Sequence, residues 1–126
     1  ALKESGGAIF PDYGITDWLA MAKRVMAVGG NGRIAFDYDM KIAEPFNAPS
    51  ASEDVDLWPA YRALAGRPVL VIRGGLSDLL SAATVRRMVK EVPGAESLTI
   101  RRVGHPPSLE EVGVREAIAS LLAKVE

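Results

Sequence analysis

Pro68-Val69-Leu70-Val71-Ile72-Arg73-Gly74-Gly75-Leu76-Ser77-Asp78 carries an aliphatic run that stops at a glycine pair and then presents a carboxylate. An unbroken apolar run between Pro and Gly is the pattern of a parallel strand covered on both faces. The next strand-like stretch, Leu98-Thr99-Ile100-Arg101-Arg102-Val103-Gly104-His105-Pro106-Pro107, ends in a turn with the single histidine of the chain. Leu98, Ile100 and Arg102 alternate there with Thr99, Arg101 and Val103, so this strand is half polar and belongs near a sheet edge. Between the two, Ser81 caps a helix whose Val85, Met88, Val89 and Val92 recur at helical spacing, and Pro93-Gly94 ends it. Strand, helix and strand in this order predict a parallel pair with a right-handed crossover. Both turns then reach the same edge of the sheet, the edge where open α/β sheets hold ligands.

Outward from this unit the alternation continues. Asp56 caps a helix through Trp58-Pro59-Ala60-Tyr61-Arg62-Ala63-Leu64, with Pro59 in its first turn where a missing N–H is harmless. Downstream, Ser108-Leu109-Glu110-Glu111 reads as a capping box, Ser108 at N-cap and Glu111 at N3. The helix it opens carries Val114, Ile118, Leu121, Leu122 and Val125 on one face, and Gly113 weakens it. Residues 54–126 are thus α-β-α-β-α, one regular α/β segment. Two strands fall short of the roughly five of an ordinary sheet, so the missing ones are expected upstream of Ala1.

Residues 1–53 differ in character. Gly6-Gly7, Pro11-Asp12, Gly29-Gly30-Asn31-Gly32, Pro45 and Asn47-Ala48-Pro49-Ser50 interrupt them. One helix is expected from Asp17 to Val28, with Thr16 as N-cap, Leu19, Ala22, Val25 and Met26 as its apolar stripe, and Gly29-Gly30 as its stop. A short extended piece follows from Arg33 to Tyr38.

Composition narrows the function classes. The 126 residues are 48% apolar and 25% charged, as in ordinary globular domains. A net charge of −1 with no basic tract gives no reason to expect nucleic acid. No apolar run approaches the roughly 18 residues of a membrane span, and the start lacks the apolar centre of a signal peptide. The chain begins without Met, which suggests a processed or truncated end. With no cysteine there is neither a disulfide framework nor thiolate chemistry, which suits a cytoplasmic protein. One histidine and no cysteine argue against zinc, and Asp37, Asp39 and Glu44 lack a calcium loop and read as solvated surface. Gly29–Gly32 follows a helix and Gly74-Gly75 lacks the G-x-G-x-x-G spacing, so no dinucleotide site is read. Neither metal nor cofactor is expected.

Asp78 after one strand and His105 after the next make a general-base unit if they meet. The carboxylate accepts the imidazole Nδ1–H, fixes the tautomer, and stabilises the imidazolium formed when Nε2 takes a proton. The bland readings are a turn aspartate and a histidine that satisfies backbone groups near Pro106-Pro107. Ser77 and Ser81 read as turn and N-cap residues. Trp18, Phe10 and Tyr13 are weak candidates for lining a substrate pocket and otherwise packing anchors.

On these residues residues 54–126 resemble the C-terminal portion of the α/β-hydrolase fold superfamily. Pro68-Val69-Leu70-Val71-Ile72-Arg73-Gly74 with Ser77-Asp78 resembles the strand and turn bearing the triad acid, and Gly104-His105-Pro106-Pro107-Ser108-Leu109-Glu110-Glu111 resembles the turn bearing the catalytic histidine. The order, acid before histidine, is the family's. Residues 1–53 more loosely resemble the end of the cap or lid segment of such enzymes. The resemblance implies a partial α/β-hydrolase fold in which Asp78 is the acid and His105 the base. The activity implied is that of a hydrolase, an esterase or similar, acting on a small-molecule substrate. The chain departs from the family in lacking a Gly-x-Ser-x-Gly elbow. Gly75-Leu76-Ser77-Asp78-Leu79 has no second glycine, and Ser77 adjoins the acid. The nucleophile, Ser or Asp, is then expected outside this chain, in the missing N-terminal part of the fold, either in cis or as a companion chain. The isolated chain is expected to be inactive. The rival reading is a non-catalytic α/β module that binds a small ligand or partner.

Overall fold

Residues 2–47 and 55–125 are described in a computed structural model. In chain order they form α1 (Leu2–Gly6), α2 (Ile15–Val25), β1 (Met26–Val28), β2 (Ile34–Phe36), a 3-10 helix (Met40–Asn47), α3 (Trp58–Arg62), β3 (Leu70–Gly74), α4 (Ala82–Glu91), β4 (Glu96–Ile100) and α5 (Val114–Leu122). Two units separate by their contacts: Lys3–Asp12 with the residues from Leu57 onward, and Tyr13–Asp56. Residues 3–12 therefore group with the C-terminal residues, and a division between 53 and 54 falls outside the described residues.

The first unit is built on the aliphatic run. β3 pairs with β4 in parallel, in the register Leu70↔Glu96 through Gly74↔Ile100, as the strand–helix–strand pattern requires. α4 supplies the crossover. Ser81 is its N-cap, its Oγ accepting the Thr84 N–H at 3.0 Å, and Val85 and Val92 are its buried positions. Val92 and Val114 are fully buried, and Val71, Ala95, Ile100 and Val103 complete this core with Phe10. Gly94, at a φ of 84°, turns the chain from α4 into β4.

Three expectations in this unit are corrected. α3 has Leu57 rather than Asp56 at its N-cap and ends at Arg62, after which Ala63–Arg67 closes in successive turns. The strand runs to Gly74, two residues beyond the aliphatic run, because Arg73 and Gly74 continue the ladder. The last helix begins at Val114, not beside Ser108. Glu111 does reach back to the Ser108 N–H at 2.8 Å, so half of the capping box is made. Leu109 and Gly113 both take positive φ, 68° and 84°, which no α-helix can run through.

In the second unit α2 starts at Ile15, two residues before the expected Asp17. Asp17 accepts the Gly14 N–H at 2.8 Å, so Gly14 replaces Thr16 as the N-cap. The inward stripe is also shifted: Trp18, Met21 and Ala22 face in, and Leu19 is exposed. The helix ends at Val25 rather than Val28 because Met26–Val28 pairs antiparallel with Ile34–Phe36. Gly29-Gly30-Asn31-Gly32 is thus a hairpin turn, closed by Gly29 N–H to Arg33 O at 2.8 Å and by Asn31 Oδ1 on the Arg33 N–H at 3.0 Å. Asp37, Asp39 and Glu44 are exposed, and Asp39 starts the 3-10 helix by accepting the Lys41 N–H at 2.9 Å.

Candidate active site

The turns after β3 and β4 are laced together by their backbones. Gly75 N–H donates to Ile100 O at 2.6 Å and Leu76 N–H to Val103 O at 2.8 Å, extending the ladder past both strand ends. Asp78 and His105 each lie two residues beyond that last bond, so the fold delivers their turns side by side. Glycine makes the approach possible. A Cβ on Gly74 would sit 2.5 Å from Val103 O, inside any real contact distance.

The acid turn is internally braced. Ser77 N–H donates to Gly74 O at 3.0 Å, and Ser77 Oγ accepts the Leu80 N–H at 2.9 Å, which is the turn role expected of Ser77. Arg73 adds two bonds: Nε donates to Leu80 O at 2.6 Å and an Nη donates to Gly75 O at 3.3 Å. Asp78 itself is exposed and forms no hydrogen bond among the described residues.

The histidine turn is held from the other side by the segment 3–12. Gly104 N–H donates to Ile9 O at 2.6 Å, and a Cβ on Gly104 would lie 2.8 Å from Ile9 Cα. Two residues earlier, Arg102 forms a two-pronged ion pair with Asp12 at 2.6 and 2.7 Å. The Arg102 guanidinium holds the Asp12 carboxyl below the usual carboxylate range. His105 is partly exposed, but its Nδ1 is buried and has no hydrogen-bond partner among the described residues.

The structure therefore brings the two turns together without joining the two side chains. Phe10 and Trp18, the weak pocket candidates, are buried, and Tyr13 packs edge-on against Trp18 with ring centroids 5.3 Å apart. Phe10 falls in the first unit, Tyr13 and Trp18 in the second. A cleft of about 510 Å³ lies along β4, lined by Leu98, Ile100, Arg101, Val103, Glu111 and Val112, none of them read as a site residue from the sequence. Arg73 was equally unmarked, because a lone charge in an aliphatic strand carries no sign of what it bonds.

Comparison with known proteins agrees with this architecture. An alpha/beta hydrolase of known crystal structure from Novosphingobium aromaticivorans DSM 12444 is 54% identical, with a TM-score of 0.88 over 98% of this chain and 44% of that one. A 3-hydroxybutyrate-oligomer hydrolase from Cupriavidus necator is 39% identical over 75 residues, which are 56% of this chain and 25% of that protein. No protein-family model matches. The chain carries a partial α/β-hydrolase fold, similar over nearly its whole length to part of that solved hydrolase. It spans less than half the length of either relative.

Proposed function

We propose that this chain supplies the triad acid and the general base of a hydrolase acting on an ester or similar bond of a small molecule. The nucleophile, Ser or Asp, comes from the rest of the fold, in cis or as a companion chain. The single observation that carries the reading is the buried, unpartnered Nδ1 of His105, in a turn fastened to the one that carries Asp78. A buried imidazole nitrogen without a partner is unfavourable by about 1–3 kcal/mol. A carboxylate accepting its N–H removes that penalty and leaves Nε2 free to act as base. His105 then takes the proton of a serine nucleophile and returns it to the leaving group. With an aspartate nucleophile it activates the water of the second step.

An ester is favoured as the bond because one relative is named for hydrolysing oligomers of 3-hydroxybutyrate, a hydroxy acid. In this reading residues 54–126 belong to the core together with residues 3–12, and the cap segment is confined to the remainder of residues 1–53. The cell compartment is the cytoplasm, compatible with a chain free of cysteine. Among the described residues no helix is long and apolar enough to cross a membrane.

The test is His105→Gln in the complete protein, assayed on short-chain acyl esters and on hydroxy-acid oligomers. The expected result is a loss of roughly four orders of magnitude in turnover with the fold retained. The open gap between Asp78 and His105 favours one rival, a non-catalytic binding module, which expects no hydrolysis before the substitution and none after.

A further inference from the structure

We propose that Arg73 is the positioning residue of the acid turn: it holds Asp78 where its carboxylate can accept the His105 Nδ1–H. The inference rests on the reading of Asp78 and His105 given above. Arg73 is the one charged residue in β3, a strand otherwise made of Leu70, Val71, Ile72 and Gly74. It is half-buried, on the same face of the strand as the buried Val71. Among the described residues it pairs with no carboxylate, so no counter-charge explains it. Placing a guanidinium in a strand interior is unfavourable unless its donors are satisfied.

Its donors go to the two ends of one turn. Gly75 O is the first carbonyl of the turn and Leu80 O the last, and Asp78 lies between them. Bridging both carbonyls sets the span of the turn. The Ser77 bonds only divide it, one joining Gly74 to Ser77 and one joining Ser77 to Leu80. A planar guanidinium can reach two carbonyls in a fixed geometry, and an ammonium on a flexible stem cannot. The role is therefore specific to arginine. Charge alone does not fill it.

The readout is the imidazole N–H proton of His105 in the complete protein, a downfield NMR resonance that a carboxylate partner protects from solvent exchange. His105→Gln assigns it by its loss. Arg73→Lys keeps the charge, and Arg73→Met keeps an apolar stem if the lysine variant folds poorly. In both, the resonance is expected to broaden or vanish, with kcat on an ester falling about tenfold or more and KM within about twofold. Asp78→Asn should abolish the resonance outright. Loss in Asp78→Asn with no change in resonance or kcat in either Arg73 variant would overturn the role of Arg73 and leave the pair standing. A resonance that survives Asp78→Asn, or that the wild-type protein never shows, would overturn the pair and the role of Arg73 with it.

Discussion

The Tyr61 hydroxyl is buried without a hydrogen-bond partner among the described residues, and burial pushes its phenol above the usual range. Its ring packs edge-on against Trp58 with centroids 5.9 Å apart, so the ring belongs to the packing and the hydroxyl adds an unmet donor. Tyr61→Phe should stabilise the protein by about 1 kcal/mol, read as a higher urea midpoint at unchanged slope. A lower midpoint would mean that the hydroxyl has a partner. Gly74 makes the opposite case. The Cβ of alanine would meet the backbone of Val103, which cannot swing aside as a side chain can. Gly74→Ala should destabilise by about 2 kcal/mol or more and force the turns of Asp78 and His105 apart. Asp78 and His105 were legible in sequence because each follows a strand signal and a glycine. Arg73 was not, because its partners are carbonyl oxygens, which every residue has.

At the scale of elements, α4 carries the clearest local signals and the clearest electrostatics. Arg87 lies over the Trp58 ring at 3.7 Å and bonds Glu91 at 2.6 Å, and Arg62 of α3 bonds Glu91 as well. Hydrogen bonding by Arg62, then by Arg87, holds the Glu91 carboxyl below its ordinary range. A lowered folded-state pKa contributes stability above the unfolded value, about 4.3, and loses it as pH falls through the folded value. Glu91→Gln should therefore lower the urea midpoint at pH 7, modestly for so exposed a pair, and the difference should shrink as pH falls through the lowered folded-state value. A difference that does not change with pH would contradict the ion pairing. Ser81 and the Val85–Val92 spacing were readable because a cap and a helical stripe are local. The hairpin of β1 and β2 was not, because three-residue strands are defined by the partner they find. Ser108-Leu109-Glu110-Glu111 misled for a related reason. Its side-chain bond forms, but the positive φ of Leu109 and Gly113 is set by the turn into α5, and no motif encodes that.

For the whole molecule, β3 and β4 form a two-stranded sheet among the described residues, and Leu76, Leu79 and Val112 stand largely exposed around the candidate site. The chain covers 44% of a solved hydrolase that it matches at a TM-score of 0.88. On the proposed function, native mass spectrometry of the active material should find this chain together with the remainder of the fold, covalently continuous or as a companion. Activity from this chain alone, at its own mass or a multiple of it, would contradict a nucleophile supplied from elsewhere. The two strands and their order were readable from the aliphatic run and the crossover. How much sheet accompanies them was readable only as a shortfall.

The central claim is that Asp78 and His105 act as one unit, and a double-mutant comparison of ester turnover in the complete protein tests it most directly. If the carboxylate works only through the imidazole, Asp78→Asn should lose most of the rate. His105→Gln should lose more, and the double variant should lose no more than His105→Gln alone. If the two losses multiply in the double variant, each residue acts independently and the account of the site is wrong.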